Sequence, residues 1–132
     1  MVPIVSIVGK SGSGKTTLLE KVITELTRRG YSVGVIKHDA HGFEIDHEGK
    51  DSWRHKKAGA VTVALSSPEK FAVIKDVSVE WTPERIIDSY LIDSDIVITE
   101  GFKKSAFAKI EDVRKANSTQ PVCGNDKKLL AY

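Results

Sequence analysis

The segment Gly9-Lys10-Ser11-Gly12-Ser13-Gly14-Lys15-Thr16 has the residue types and spacing of a Walker A phosphate loop. A triphosphate is a dense anion and needs many donors at close range. Glycines at Gly9, Gly12 and Gly14 let the backbone wrap the phosphates with its N–H groups turned inward. The Ser13 amide belongs to the same cradle. Lys15 is the expected partner of the β- and γ-phosphates, and the Thr16 hydroxyl is an expected ligand of Mg²⁺. Thr17 adds a donor near the α-phosphate. A glycine-rich turn with an exposed lysine is the bland alternative. The apolar strand before the motif and the helix after it weigh against that reading.

Such a loop also needs an acidic group at the end of a neighbouring apolar strand, to hold Mg²⁺ or orient water. Ile96-Val97-Ile98-Thr99-Glu100-Gly101 supplies one. Glu100 falls at the strand's C-terminal end, where α/β sheets place ligands. With Lys15 it forms the expected catalytic pair, and with Thr16 the expected metal pair. The Gly101 N–H is expected to approach the γ-phosphate. Asp95 begins the same strand and is expected at the opposite edge, as a surface or turn residue. The stretch from Lys37 through His38, His41 and Asp46 should emerge at the same edge as the phosphates. Asp46 is read as a second carboxylate on the nucleotide or metal side. His38 and His41 lack the companions of a zinc site, and contact with substrate or support of the loop suits them better. Lys50 and Arg54 suit either a phosphorylated partner molecule or a solvated basic face. Lys56 and Lys57 are read as surface charges.

These groups are positioned by a simple order of elements. Residues 4–8 form a short β-branched run, read as a strand buried on both faces. Apolar residues at Leu18, Leu19, Val22, Ile23 and Leu26 have helical spacing across 16–29, and Gly30 stops that helix. Residues 31–36 read as a second strand. Strand, helix, strand implies a parallel sheet with a right-handed crossover. Residues 38–50 read as a polar loop and 51–58 as a short helix. Residues 61–65 and 71–77 are expected to pair as a β-hairpin across Ser66-Ser67-Pro68-Glu69-Lys70. Thr82-Pro83-Glu84 caps a helix to about residue 90. Residues 95–99, 109–113 and 129–132 complete the strands. The expectation is an α/β, P-loop NTPase-like fold: a mostly parallel sheet flanked by helices, with one hairpin.

Bulk properties agree with a single domain over 1–132. The chain has 132 residues, 40% of them hydrophobic and 29% charged, with net charge +2. That charge is too small to argue for nucleic acid or a membrane surface. The one cysteine, Cys123, cannot form an intrachain disulfide, which suits a reducing cytoplasm. No apolar run is long enough to cross a bilayer, and the N-terminus does not read as a signal peptide.

Three blocks in order resemble the MobB family, the molybdopterin-guanine dinucleotide biosynthesis proteins B. They are the Walker A segment, then Val35-Ile36-Lys37-His38 through Asp46, Gly49-Lys50-Asp51-Ser52 and Lys57-Ala58-Gly59-Ala60, then Glu100-Gly101-Phe102-Lys103 with Ala108-Lys109-Ile110. The resemblance spans residues 4–132. It implies GTP with Mg²⁺ as the bound nucleotide, weak GTP hydrolysis, a homodimer, and partnership with the guanylyltransferase that joins GMP to molybdopterin. It leaves open whether molybdopterin touches this chain. It maps the triphosphate onto residues 12–17, the acidic metal-side role onto Glu100, and contact with nucleotide, metal or cofactor onto Asp46. Two departures stand out. A further loop and helix are expected after Tyr132, so the domain is read as lacking part of its C-terminal region. Asn125-Asp126-Lys127 is not the Asn-Lys-x-Asp guanine-reading motif, so the guanine preference rests on the resemblance. Arg54 and Arg114 are candidates for an activating charge. A small-molecule kinase on the same fold, or a non-catalytic adaptor stabilised by nucleotide, are the competing readings.

Overall fold

The computed structural model describes residues 1–10, 14–102 and 106–111, and the backbone of 129–131. Gly12, Ser13, Lys103, Arg114, Cys123 and the 125–127 segment therefore lie outside the described residues. The chain divides into two compact units, one made of Met1–Ala40 and Thr82–Tyr132, the other of His41–Trp81.

The first unit is built on a five-stranded parallel sheet. Its strands are β1 (Ile4–Val8), β2 (Val33–Lys37), β5 (Ile96–Glu100), β6 (Ala108–Glu111) and β7 (Leu129–Ala131), in the order β2-β5-β1-β6-β7. Helix α1 (Lys15–Arg28) connects β1 to β2. A strand from late in the sequence, β5, sits between the first two. Its register sets Ile7 beside Glu100 and Lys37 beside Glu100. The C-terminal ends of β1, β2 and β5 therefore share one edge.

The two faces of this sheet differ in chemistry. On one, Ile7 and Ile98 pack with Leu19, and Leu18, Val22, Ile23 and Leu26 of α1 close over them. The 3.6-residue spacing of those apolar positions makes α1 a cover for this face. On the other, Val97 and Ile36 pack with Ile87. Thr82 caps the helix α3 (Pro83–Ile86) with its side chain, accepting from the Arg85 N–H at 3.2 Å. The expected helix does not stay α-helical to residue 90. It widens into a π-helical turn over Ile87–Leu91, and Ile86, Ile87 and Leu91 all reach the same apolar cluster.

The second face also carries a buried polar row. Ser6 is in register with Thr99 on one side and Lys109 on the other, and Val8 is in register with Glu111. Ser6, Thr99, Lys109 and Glu111 are all buried. The Ser6 and Thr99 hydroxyls bond at 2.6 Å, and Lys109 Nζ donates to the Phe107 carbonyl at 3.2 Å. Burial of such groups is tolerated because they are bonded.

The second unit holds α2 (Asp51–Ala58) and an antiparallel pair, β3 (Thr62–Ser66) with β4 (Phe71–Lys75). The hairpin expected from the sequence forms, shorter at its far end. Ser67 and Lys70 close its turn through a 2.9 Å backbone bond. Among the described residues, no helix is long and apolar enough to cross a membrane.

Candidate functional site

The phosphate loop begins where β1 ends. Gly9 is buried directly after Val8, and Gly14 forms the N-cap of α1 with φ 101°. An L-residue is strained at that angle, so glycine suits the entry to the helix. Lys15, Thr16 and Thr17 occupy the first turn of α1, where backbone N–H groups have no acceptor within the helix. Those donors and the positive end of the helix dipole suit an anion. Lys15 Nζ donates to the Gly9 carbonyl at 2.9 Å, reaching back across the loop.

Glu100 ends β5 at the same edge. The Thr16 hydroxyl donates to Glu100 Oε1 at 3.1 Å, joining residues 84 apart in sequence. A hydroxyl and a carboxylate side by side are hard oxygen donors of the kind Mg²⁺ takes. The Gly101 N–H donates to the Ile7 carbonyl at 3.0 Å. It is committed to the sheet here, because β1 lies directly beside β5. Asp95, at the opposite end of β5, accepts the Ser32 N–H at 2.7 Å and ties the starts of β2 and β5 together.

His38 follows β2. Its N–H donates to the Glu100 carbonyl at 3.0 Å, and its ring stacks on Phe102 with centroids 4.3 Å apart and planes at 22°. Phe102 has φ 57°, and no other non-glycine residue among those described has positive φ. The role of Phe102 was not read from the sequence. The available signal was an aromatic immediately after a strand-ending Glu-Gly.

The remaining candidates belong to the second unit. Asp46 Oδ1 accepts the His47 N–H and the Ser52 hydroxyl, each at 3.0 Å. Its Oδ2 is buried and has no hydrogen-bond partner. Lys50 is the N-cap of α2, and Lys50 and Arg54 are both exposed. Lys56 is not the simple surface charge expected. Its side chain is 17% exposed, it pairs with Asp76, and its Nζ donates to the Ala60 carbonyl at 2.9 Å. The helix end and the start of β3 present those acceptors together, which sequence spacing does not reveal. Lys57 lies over the Trp53 ring, 5.4 Å from its centre.

The pKa picture at the edge of α1 is separate from this site. Glu25 bonds Arg28 and Arg29, and those guanidinium groups lower its carboxyl to about 2.

The chain is similar to known proteins over nearly its whole length. Residues 4–132 match the family model described as "MobB: Molybdopterin guanine dinucleotide synthesis protein B". A molybdopterin-guanine dinucleotide biosynthesis adapter protein of Haemophilus influenzae is 41% identical over 136 aligned residues, covering 98% of this chain and 73% of that protein. One of Escherichia coli is 35% identical over 127, covering 92% and 71%. The crystal structure of Bacillus subtilis MobB superposes with a TM-score of 0.72 at 33% identity, covering 87% of this chain and 71% of that one. With nearly the whole chain aligned and the parallel sheet shared, this protein belongs to the MobB family.

Proposed function

We propose that this chain is a GTP-binding adapter in molybdopterin-guanine dinucleotide biosynthesis, with slow GTPase activity and Mg²⁺ as cofactor. Residues 1–132 act as a single nucleotide-binding module in the cytoplasm. The partner is the guanylyltransferase that joins GMP to molybdopterin, and the working form is a homodimer. The adapter role takes its support from the relatives' names. One observation carries the nucleotide reading: the Thr16 hydroxyl and the Glu100 carboxylate meet at 3.1 Å beside the first turn of α1.

Each residue has a distinct task in this reading. The amides from Gly9 to Thr17 (Gly12, Ser13 and Gly14 among them) hold the phosphates. Lys15 leaves the Gly9 carbonyl for the β- and γ-phosphate oxygens, exchanging a neutral acceptor for a charged one. Thr16 and Glu100 hold the metal side, and Glu100 orients the attacking water. Mg²⁺, when bound, neutralises charge on the β- and γ-phosphates. Gly101 takes part through backbone shape, its N–H being given to Ile7. Within the second unit, Asp46 Oδ2 is a buried acceptor without a donor and suits a ligand or water of its own. Hydrolysis by the chain alone is slow in this reading, and the activating charge comes from Arg54, Arg114, a partner or a dimer mate.

The test is a titration of the purified chain with GTP and ATP in Mg²⁺, with phosphate release followed alone and with the guanylyltransferase. GTP binding that strengthens with Mg²⁺, and release that rises on adding the partner, are expected. Transfer of phosphate to a small acceptor would replace this reading with a kinase. Binding of neither nucleotide would remove it.

A further inference from the structure

Glu100 is held by an unusual turn. Its carbonyl accepts the His38 N–H at 3.0 Å, and the next N–H, of Gly101, donates to the Ile7 carbonyl at 3.0 Å. The peptide is thus pinned from β2 on one side and β1 on the other. The chain then takes two successive left-handed residues, Gly101 at φ 102° and Phe102 at φ 57°. For an aromatic residue this conformation is strained and persists only where its surroundings enforce it. Two contacts do so. Phe102 packs against the Ile36, Ile87 and Val97 cluster, and its ring stacks on His38. The backbone passes close to His38 here: a Cβ at Gly101 would sit 3.3 Å from His38 Cβ and 3.5 Å from the His38 carbonyl.

We propose that His38 is a positioning residue for Glu100: by clamping Phe102 in its left-handed turn, it keeps the Glu100 carboxylate beside the Thr16 hydroxyl. The direction of action follows the chain. The core and the His38 ring fix Phe102, Phe102 fixes the Gly101 peptide, and that peptide fixes the end of β5. Relaxation of Phe102 to negative φ would redirect the peptide between Gly101 and Phe102 and put load on the Glu100–Gly101 peptide that carries both pinning bonds. The catalytic consequence rests on the reading of Glu100 as the metal-side carboxylate, whereas the clamp itself does not.

The experiment uses the full chain with His38→Ala, which removes the ring, and His38→Phe, which keeps a stacking ring without nitrogen. Amide hydrogen exchange without nucleotide reads the clamp directly. His38→Ala is expected to speed exchange at Gly101 about tenfold or more while leaving the centre of β1 protected, and His38→Phe to stay near wild type. GTP hydrolysis in Mg²⁺ reads the consequence. His38→Ala is expected to lower kcat about tenfold with KM for GTP within about twofold, since small misplacement costs rate rather than ground-state binding. His38→Phe should recover most of that loss. Unchanged Gly101 exchange in His38→Ala, or a His38→Phe variant no better than His38→Ala, would overturn the clamp. If exchange responds as expected but wild type neither binds nor hydrolyses GTP, the clamp stands and the GTPase reading fails.

Discussion

The two units of this chain are held together in different ways. In the first, a parallel sheet buries Ile7, Val8, Val97 and Ile98 almost completely, and every buried residue among those described lies there. In the second, no described residue is buried, and a two-stranded sheet has only two edges and one helix beside it. Phe43, Ile45, Val61 and Phe71 remain exposed. A hairpin of this kind is marginal on its own. Its order rests on polar ties such as Lys56 with Asp76 and the Ser67–Lys70 turn. Thr16 and Glu100 both belong to the first, well-buried unit. The second unit has few buried apolar contacts, the property of segments that open at low free energy.

The largest expected effect tests that contrast directly. Ile98→Ala should destabilise the chain by about 2–5 kcal/mol, the range for truncating a buried aliphatic residue. Val73→Ala, in half-buried β4, should cost about 1 kcal/mol or less. Denaturant unfolding of both variants gives the comparison. Equal costs would mean that the second unit has a core of its own.

Lys15→Ala probes the rigid edge. GTP affinity is expected to fall about a hundredfold, because a hydrogen bond to a charged group is worth roughly 1.5–3 kcal/mol. Calorimetry against GTP in Mg²⁺ measures it, and unaltered affinity would contradict the phosphate assignment. Glu100→Gln should leave GTP affinity within a few-fold and lower hydrolysis about tenfold or more. Single-turnover phosphate release is the readout, and intact hydrolysis would transfer the acidic role elsewhere.

The smallest expected effect lies at the end of α1. Arg28 and Arg29 hold the Glu25 carboxyl down, from 4.5 to about 2. A lowered pKa means that the folded state favours the charged form. The stabilisation is complete above about pH 4.5 and is lost as pH falls toward about 2. Glu25 is 45% exposed, so salt weakens the effect. Thermal melts of Glu25→Gln and wild type should differ slightly at neutral pH in low salt and converge at the acid end. A difference independent of pH would assign it to something other than charge.

Much of the first unit was legible in the sequence because its signals are local. A β-branched run and an apolar stripe at helical spacing each report on a few adjacent residues, and they gave β1 and α1. The hairpin was legible for the same reason. The widening of the second helix over Ile87–Leu91 was not, because it depends on which side chains reach the Ile36 and Val97 cluster. Nor was the burial of Lys109 and Glu111, two charged residues on a strand whose neighbour is set by pairing with β1.

By itself, the sequence set a Walker A pattern at one strand-to-helix turn, because that motif is made from consecutive residues. The sequence also picked out Glu100 as the partner of Thr16, while tertiary structure brings the two together at 3.1 Å and spends the Gly101 N–H on Ile7. Tertiary structure likewise decided that His38 lies against Phe102. All three follow from β5 inserting between β2 and β1. Strand order is a long-range choice, set by how whole faces bury against one another, and no local spacing encodes it.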